Sequence, residues 1–171
     1  MVDGRIVWGF GICLLLLVGG VYAVQSGLLY QVNPPDADSY DRVTVTAYDG
    51  NGTELATVEA RVADTRPKRI VGLSNTSELA TGEGMLFVHD AEEEHGYVMR
   101  EMAFPLDIVF VGADERVTTI HHAGVPEGSP ETTYSGRGKW VLEVPRGWAN
   151  RTGVEVGDRI AIPEAAHDAS G

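Results

Sequence analysis

The chain has 171 residues, 43% of them hydrophobic, and a formal net charge of −12. That length suits one domain with attachments, and that much apolar side chain excludes wholesale disorder. The 13 basic residues against 25 acidic ones exclude a general nucleic-acid binder, and a single cysteine, Cys13, excludes an internal disulfide, a cysteine-based zinc site and a Cys-x-x-Cys redox motif.

The chain opens with five residues expected on the cytoplasmic side, followed by an uncharged stretch, 6–24. As a helix this stretch would span roughly 28 Å, close to the hydrocarbon thickness of a bilayer. Trp8 and Tyr22 stand near its ends, where interfacial aromatics are favoured. Arg5 precedes it and no basic residue follows until Arg42, which orients the remainder outward. A transmembrane anchor is therefore expected. The alternative is a signal peptide cleaved after Ala23, which would release a secreted protein. Residues 25–41 contain Asn33-Pro34-Pro35-Asp36 and read as a linker. Three of the four asparagines, Asn51, Asn75 and Asn150, begin Asn-x-Ser/Thr triplets, so they are candidate glycosylation sites, or simply turn residues. Eleven arginines accompany only Lys68 and Lys139, and carboxylates are spread along the whole chain. This pattern suits a protein kept soluble in concentrated salt, where screening reduces self-repulsion.

A β-rich domain is expected over 42–163. Val43–Tyr48 alternates and is β-branched, Asp49-Gly50-Asn51-Gly52 is a hairpin turn, and Thr53–Ala63 resumes the alternation. Asp64-Thr65 before Arg66-Pro67 starts a short helix that ends near Gly72. Strands are expected at 84–88, 96–102, 106–112, 116–121, 139–144 and 159–162, with an acidic solvated loop at 89–95 and a long loop at 123–138. Trp148–Arg151 reads as one helical turn, and 164–171 as a disordered tail. Short strands with one or two short helices argue a mostly β sandwich or barrel-like domain.

Several blocks in order resemble domain-of-unknown-function family 192. They are Val62-Ala63-Asp64-Thr65 with Arg69 and Gly72-Leu73; Gly84–Phe87; Tyr97–Met102 followed by Pro105–Phe110; and Trp140–Pro145 with Gly147, Gly153 and Val156-Gly157-Asp158. The resemblance covers about residues 43–162 and implies a compact β-sandwich, commonly exported or membrane-anchored, with no established reaction. The family often reads Trp-Met-Lys-Asn-Thr where this chain has Val98–Met102, so an amide is replaced by the Glu101 carboxylate. Many members carry a cysteine pair in the loop that here is 123–138.

The candidate ligand-binding residues are Arg69, Arg100, Glu101 and Asp107. Arg100, Glu101 and Asp107 interrupt otherwise apolar strands, and a hairpin through Pro105 would bring Asp107 near Met99–Glu101. An arginine–carboxylate pair there would hold an anionic or sugar-like ligand, and the alternative is a structural ion pair or a carboxylate capping backbone amides. Asp64 fits a helix cap better than a general base. His121 and His122 are adjacent, so on one strand they face opposite ways and cannot chelate together. No zinc spacing, nucleophile motif or phosphate loop is present, so neither metal nor cofactor is expected. The first reading is a non-catalytic binding or accessory module outside the membrane, with a small polar or carbohydrate ligand and a protein partner left open. An enzyme acting on an envelope carbohydrate through Arg100 with Asp107 or Glu101 is the alternative, and a structural envelope component is the third reading.

Overall fold

Arg42–Tyr48 (β1) and Glu54–Ala63 (β2) pair antiparallel around a turn closed by Asp49, whose Oδ1 accepts from the backbone N–H groups of Asn51 and Thr53 at 2.8 Å. A computed structural model describes residues 39–126 and 132–168, all within the compact unit Asp36–Gly171. The expected anchor or signal segment, 6–24, lies outside these residues. Among the described residues no helix is long and apolar enough to cross a membrane.

Helix α1, Arg66–Val71, starts where the sequence indicates. Thr65 Oγ1 accepts from Lys68 N–H at its N-terminus, Pro67 occupies the first turn, and Gly72 ends the helix at φ 51°. The helix is the crossover that lets β2 run parallel to Glu83–Val98 (β3). The remaining strands, Leu106–Val111 (β4), Val117–Ala123 (β5), Thr133–Pro145 (β6) and Arg159–Ala161 (β7), pair antiparallel with their neighbours. Trp148–Thr152 forms a second short helix, α2.

One seven-stranded sheet results, in the order β5-β4-β6-β3-β2-β1-β7, where two stacked sheets were one expectation. It curls as a half-barrel. Its two edges meet at one end, where Arg116 bridges Arg159, Val117 N–H donates to Asp158 O and Ile160 N–H donates to Glu115 O. Curling the sheet partly relieves the problem of unpaired edge groups that two open edges would leave.

The sheet has a core on each face because its central strands are apolar in both alternation phases. On the inner face Val45, Val58, Val62, Leu86, Val109, Trp140, Leu142 and Ile160 pack with Trp148 and Ala149 of α2. On the outer face Met85, Phe87, Ile108, Phe110 and Val141 pack beneath Leu73, Met99 and Met102 of the connecting segments.

Four expectations are corrected. The acidic stretch 89–95 is part of the 16-residue strand β3, with a register shift between Val88 and Glu93 that absorbs the charged residues. The expected strand 96–102 ends at Val98, and the expected loop 123–138 gives way to β6 from Thr133, because Tyr97 and Val98 find cross-strand partners in Tyr134 and Thr133. The expected tail instead contains a 3₁₀ turn, Glu164–Ala166, with Ala166 buried and its carbonyl accepting from Trp140 Nε1–H at 2.8 Å.

Gly136 carries one of the tightest contacts in the sheet. A Cβ there would stand 2.6 Å from Cγ of Phe110. Gly136→Ala should therefore destabilise the domain by about 1–3 kcal/mol, the usual cost of overpacking. Urea unfolding checks it, and an unchanged midpoint would mean that the Phe110 ring moves aside freely.

Candidate functional site

Glu143 is the most unusual polar residue of the fold. It lies on β6, directly opposite Met85 of β3 and Ile108 of β4, and both are completely buried. The row continues to Arg61 on one side and His121 on the other, each two strands from Glu143. At about 4.8 Å per strand, those two basic residues of the row start roughly 10 Å away. Glu143 is only 6% exposed, and its carboxyl has no hydrogen bond or ion pair among the described residues. Burial without compensation disfavours the anion and pushes its pKa up to about 8. At neutral pH Glu143 is mostly a neutral acid, able to donate one hydrogen bond and accept another.

An aromatic and imidazole cluster extends from this point. Tyr97 packs edge-on against Phe87 and Phe110, with ring centroids at 5.0 and 5.7 Å. Its hydroxyl is 2.9 Å from His89 Nε2, and the His89 ring stacks on His95 at 3.6 Å. Burial, then the neighbouring His95 and Arg69, drive the His89 pKa down to about 4, so this ring is neutral at pH 7. Burial and the Glu143 charge hold the Tyr97 phenol well above its ordinary value, opposed by Arg69. Tyr97 therefore lies within electrostatic reach of Glu143 and Arg69. Beyond Phe110 the chain of rings continues to His121 and Tyr134. A protonated carboxyl can both donate and accept a hydrogen bond.

The four residues singled out from the sequence are not gathered at one point. Arg69 Nη1 donates to the carbonyls of Asp64 and Val88, both at 2.8 Å, tying α1 to the ends of β2 and β3. Arg100 has a buried Nε without a hydrogen-bond partner, and its carbonyl accepts from Ser74 Oγ. Glu101 is exposed and adopts φ 57°. That left-handed conformation suits asparagine, so the amide frequent at this place in the family resemblance is explained by the backbone. Asp107 is completely buried on the other face of the sheet. Its Oδ1 lies 2.7 Å from His122 Nδ1, and its Oδ2 accepts from Ala149 N–H at 3.0 Å. Arg100 and Asp107 make no ion pair with each other. His121 and His122 do face opposite ways, toward Phe110 and Asp107 respectively. Asp64 pairs with Lys68 at 2.9 Å, beside the helix start.

Glu143 does not stand out in the sequence, because its surroundings, Trp140-Val-Leu-Glu-Val-Pro145, read as an ordinary strand. The available signal was a single carboxylate in an apolar strand, at the phase shared with Val141. Among the described residues no group of three or more His, Cys, Asp or Glu is placed to hold a metal ion. Asn51, Asn75 and Asn150 are all exposed.

Two solved structures are similar to this chain. One is from Sinorhizobium meliloti 1021, provisionally named a transcription regulator; it is 28% identical, with a TM-score of 0.65 over 72% of this chain and 95% of that one. The other, from Novosphingobium aromaticivorans DSM 12444, is described as a protein of unknown function; it is 30% identical, with a TM-score of 0.66 over 75% of this chain and 90% of that one. No protein with a curated description matches the chain. The family model DUF192, described as Uncharacterized ACR, matches residues 47–162, so the chain belongs to the DUF192 family.

Proposed function

We propose that this domain is a binding module that holds a small polar ligand against its outer sheet face, with Glu143 as the central contact. One observation carries the reading: a nearly buried carboxyl has no hydrogen-bond partner among the described residues. A ligand offering both a donor and an acceptor would make the hydrogen bonds that this carboxyl lacks within the protein. Tyr97, partly exposed and within electrostatic reach of Glu143, supplies an aromatic wall, and sugars and other hydroxyl-bearing molecules fit that combination. The domain acts outside the membrane in this reading, held by residues 6–24 in a salt-adapted cell. Support comes from the uncharged N-terminal stretch, the acidic composition and the exposure of Asn51, Asn75 and Asn150.

A second reading, an enzyme acting on a polar envelope substrate, draws on the same carboxyl. An acid with a pKa near 8 holds its proton at neutral pH and could deliver it to a leaving group. Here Glu143 replaces Asp107 as the acid, because both Asp107 oxygens are occupied.

Thermal unfolding of the full chain in detergent, followed by tryptophan fluorescence, tests the proposal against sugars, organic acids, amines and nucleotides. A ligand at 100 times its Kd should add about 2.7 kcal/mol, or several degrees in Tm. The gain should vanish in Glu143→Leu, which keeps the volume and removes the polar group. A gain that survives the substitution moves the ligand elsewhere. Turnover of the stabilising compound would favour the enzyme, and no stabilisation by any class would favour a structural envelope component.

A further inference from the structure

Segments 102–106, 119–126 and 144–154 meet at the end of the half-barrel where α2 closes the inner core. Pro105 O accepts from Arg146 N–H, and Leu106 opposes both Ala123 and Pro145. None of these segments contains an acidic residue, in a chain that has 25. Asp107, at the same end, is fully buried with both oxygens engaged. These segments therefore present no carboxylate to solvent while they carry His122, Arg146 and Arg151.

Where an Asp107 oxygen accepts, the His122 Nδ1 facing it carries a hydrogen, and in the protonated ring Nε2 carries the second one. Nε2 is left as the outward-looking nitrogen, on a side chain that is 42% exposed, and it has no partner among the described residues. Arg146 is exposed, and its guanidinium makes no ion pair or hydrogen bond among the described residues. It reaches across the end of β4: Nη1 lies 3.6 Å from where a Cβ on Gly124 would stand. Gly124 follows His122 by two residues, so it continues the same face about 7 Å along. Arg151 joins them by donating from Nη1 to the Arg146 carbonyl at 3.1 Å.

We propose that His122, Arg146 and Arg151 form an oxyanion-binding site that takes the phosphate or carboxylate group of a small ligand, with Asp107 as the residue that positions the imidazole. Guanidinium groups bind such groups through paired, charge-assisted hydrogen bonds, and the protonated His122 ring, held by Asp107, donates a third from Nε2–H. The site lies on the opposite sheet face from Glu143, so it stands or falls independently of the ligand proposed there.

The test is an NMR titration of the histidine rings of the full chain in non-ionic detergent, with inorganic phosphate and, separately, acetate, at ionic strength held constant with chloride. The His122 resonances should shift saturably, while those of His121, on the other face, stay in place. Arg146→Ala should weaken the apparent affinity about tenfold or more, the loss expected for one charge-assisted contact, and Arg146→Lys should restore part of it. Tighter binding of phosphate than acetate would name a phosphoryl ligand, and the reverse a carboxylate. The proposal is overturned if chloride reproduces the His122 shift, or if Arg146→Ala titrates like the natural protein.

Discussion

Glu143→Gln is expected to leave stability nearly unchanged near pH 4.5 and to raise it by up to about 5 kcal/mol above pH 8. The buried carboxyl has its folded pKa raised from 4.5 to about 8. Its contribution is fully present below the unfolded pKa and is lost as pH rises through 8, because the anion must then be accommodated between Met85 and Ile108. Glutamine has nearly the same shape and cannot ionise. His89 works in the opposite direction. Its folded pKa is depressed to about 4, so its contribution is present above the unfolded value of 6.5 and is lost as pH falls through 4. The two slopes offset one another between about pH 4.5 and 6.5, and only the Glu143 decline remains between 6.5 and 8. Urea midpoints of both proteins at pH 5 and 8.5 check this. An equal difference at the two pH values would mean that Glu143 is already ionised in the neutral fold.

Asp107→Ala should cost about 3–5 kcal/mol, the largest loss expected from any single polar substitution here. It strands the buried Ala149 N–H, removes the partner of His122 Nδ1 and leaves a void between β4 and α2. Asp107→Asn keeps an oxygen for Ala149 but presents an N–H to the imidazole. His122 must then change tautomer, and the cost falls to about 1–2 kcal/mol. Chemical denaturation gives the ranking, and ¹⁵N shifts of the His122 ring report the tautomer. Equal losses for the two variants would show that the carboxylate's own hydrogen bonding, not the volume it fills, makes Asp107 necessary.

Local chemistry made much of the fold legible. The hairpin around Asp49–Gly52 needed only alternation and turn residues, and α1 needed only Thr65, Pro67 and Gly72, because those interactions close within a few residues. The long β3 and β6 strands were not legible. Glu93 and Glu94 have no strand signal of their own, and they are extended because β6 lies alongside them. The packed turn at 164–166 likewise depends on Trp140, 26 residues away.

The candidate site divides in the same way. The sequence alone showed the motif blocks that resemble one family, an acidic composition, candidate sugar-attachment asparagines and, from strand alternation, the opposed directions of His121 and His122, since all of these are local properties. Only the tertiary structure decided what the carboxylates do. Asp107 and Glu143 look alike in sequence, each a single acid in an apolar strand. Register places Asp107 against His122 and a helix start, where hydrogen bonds satisfy it, and places Glu143 between Met85 and Ile108, where nothing does. The state of a buried charge depends on neighbours that come from other strands, and those neighbours exist only once the sheet has formed.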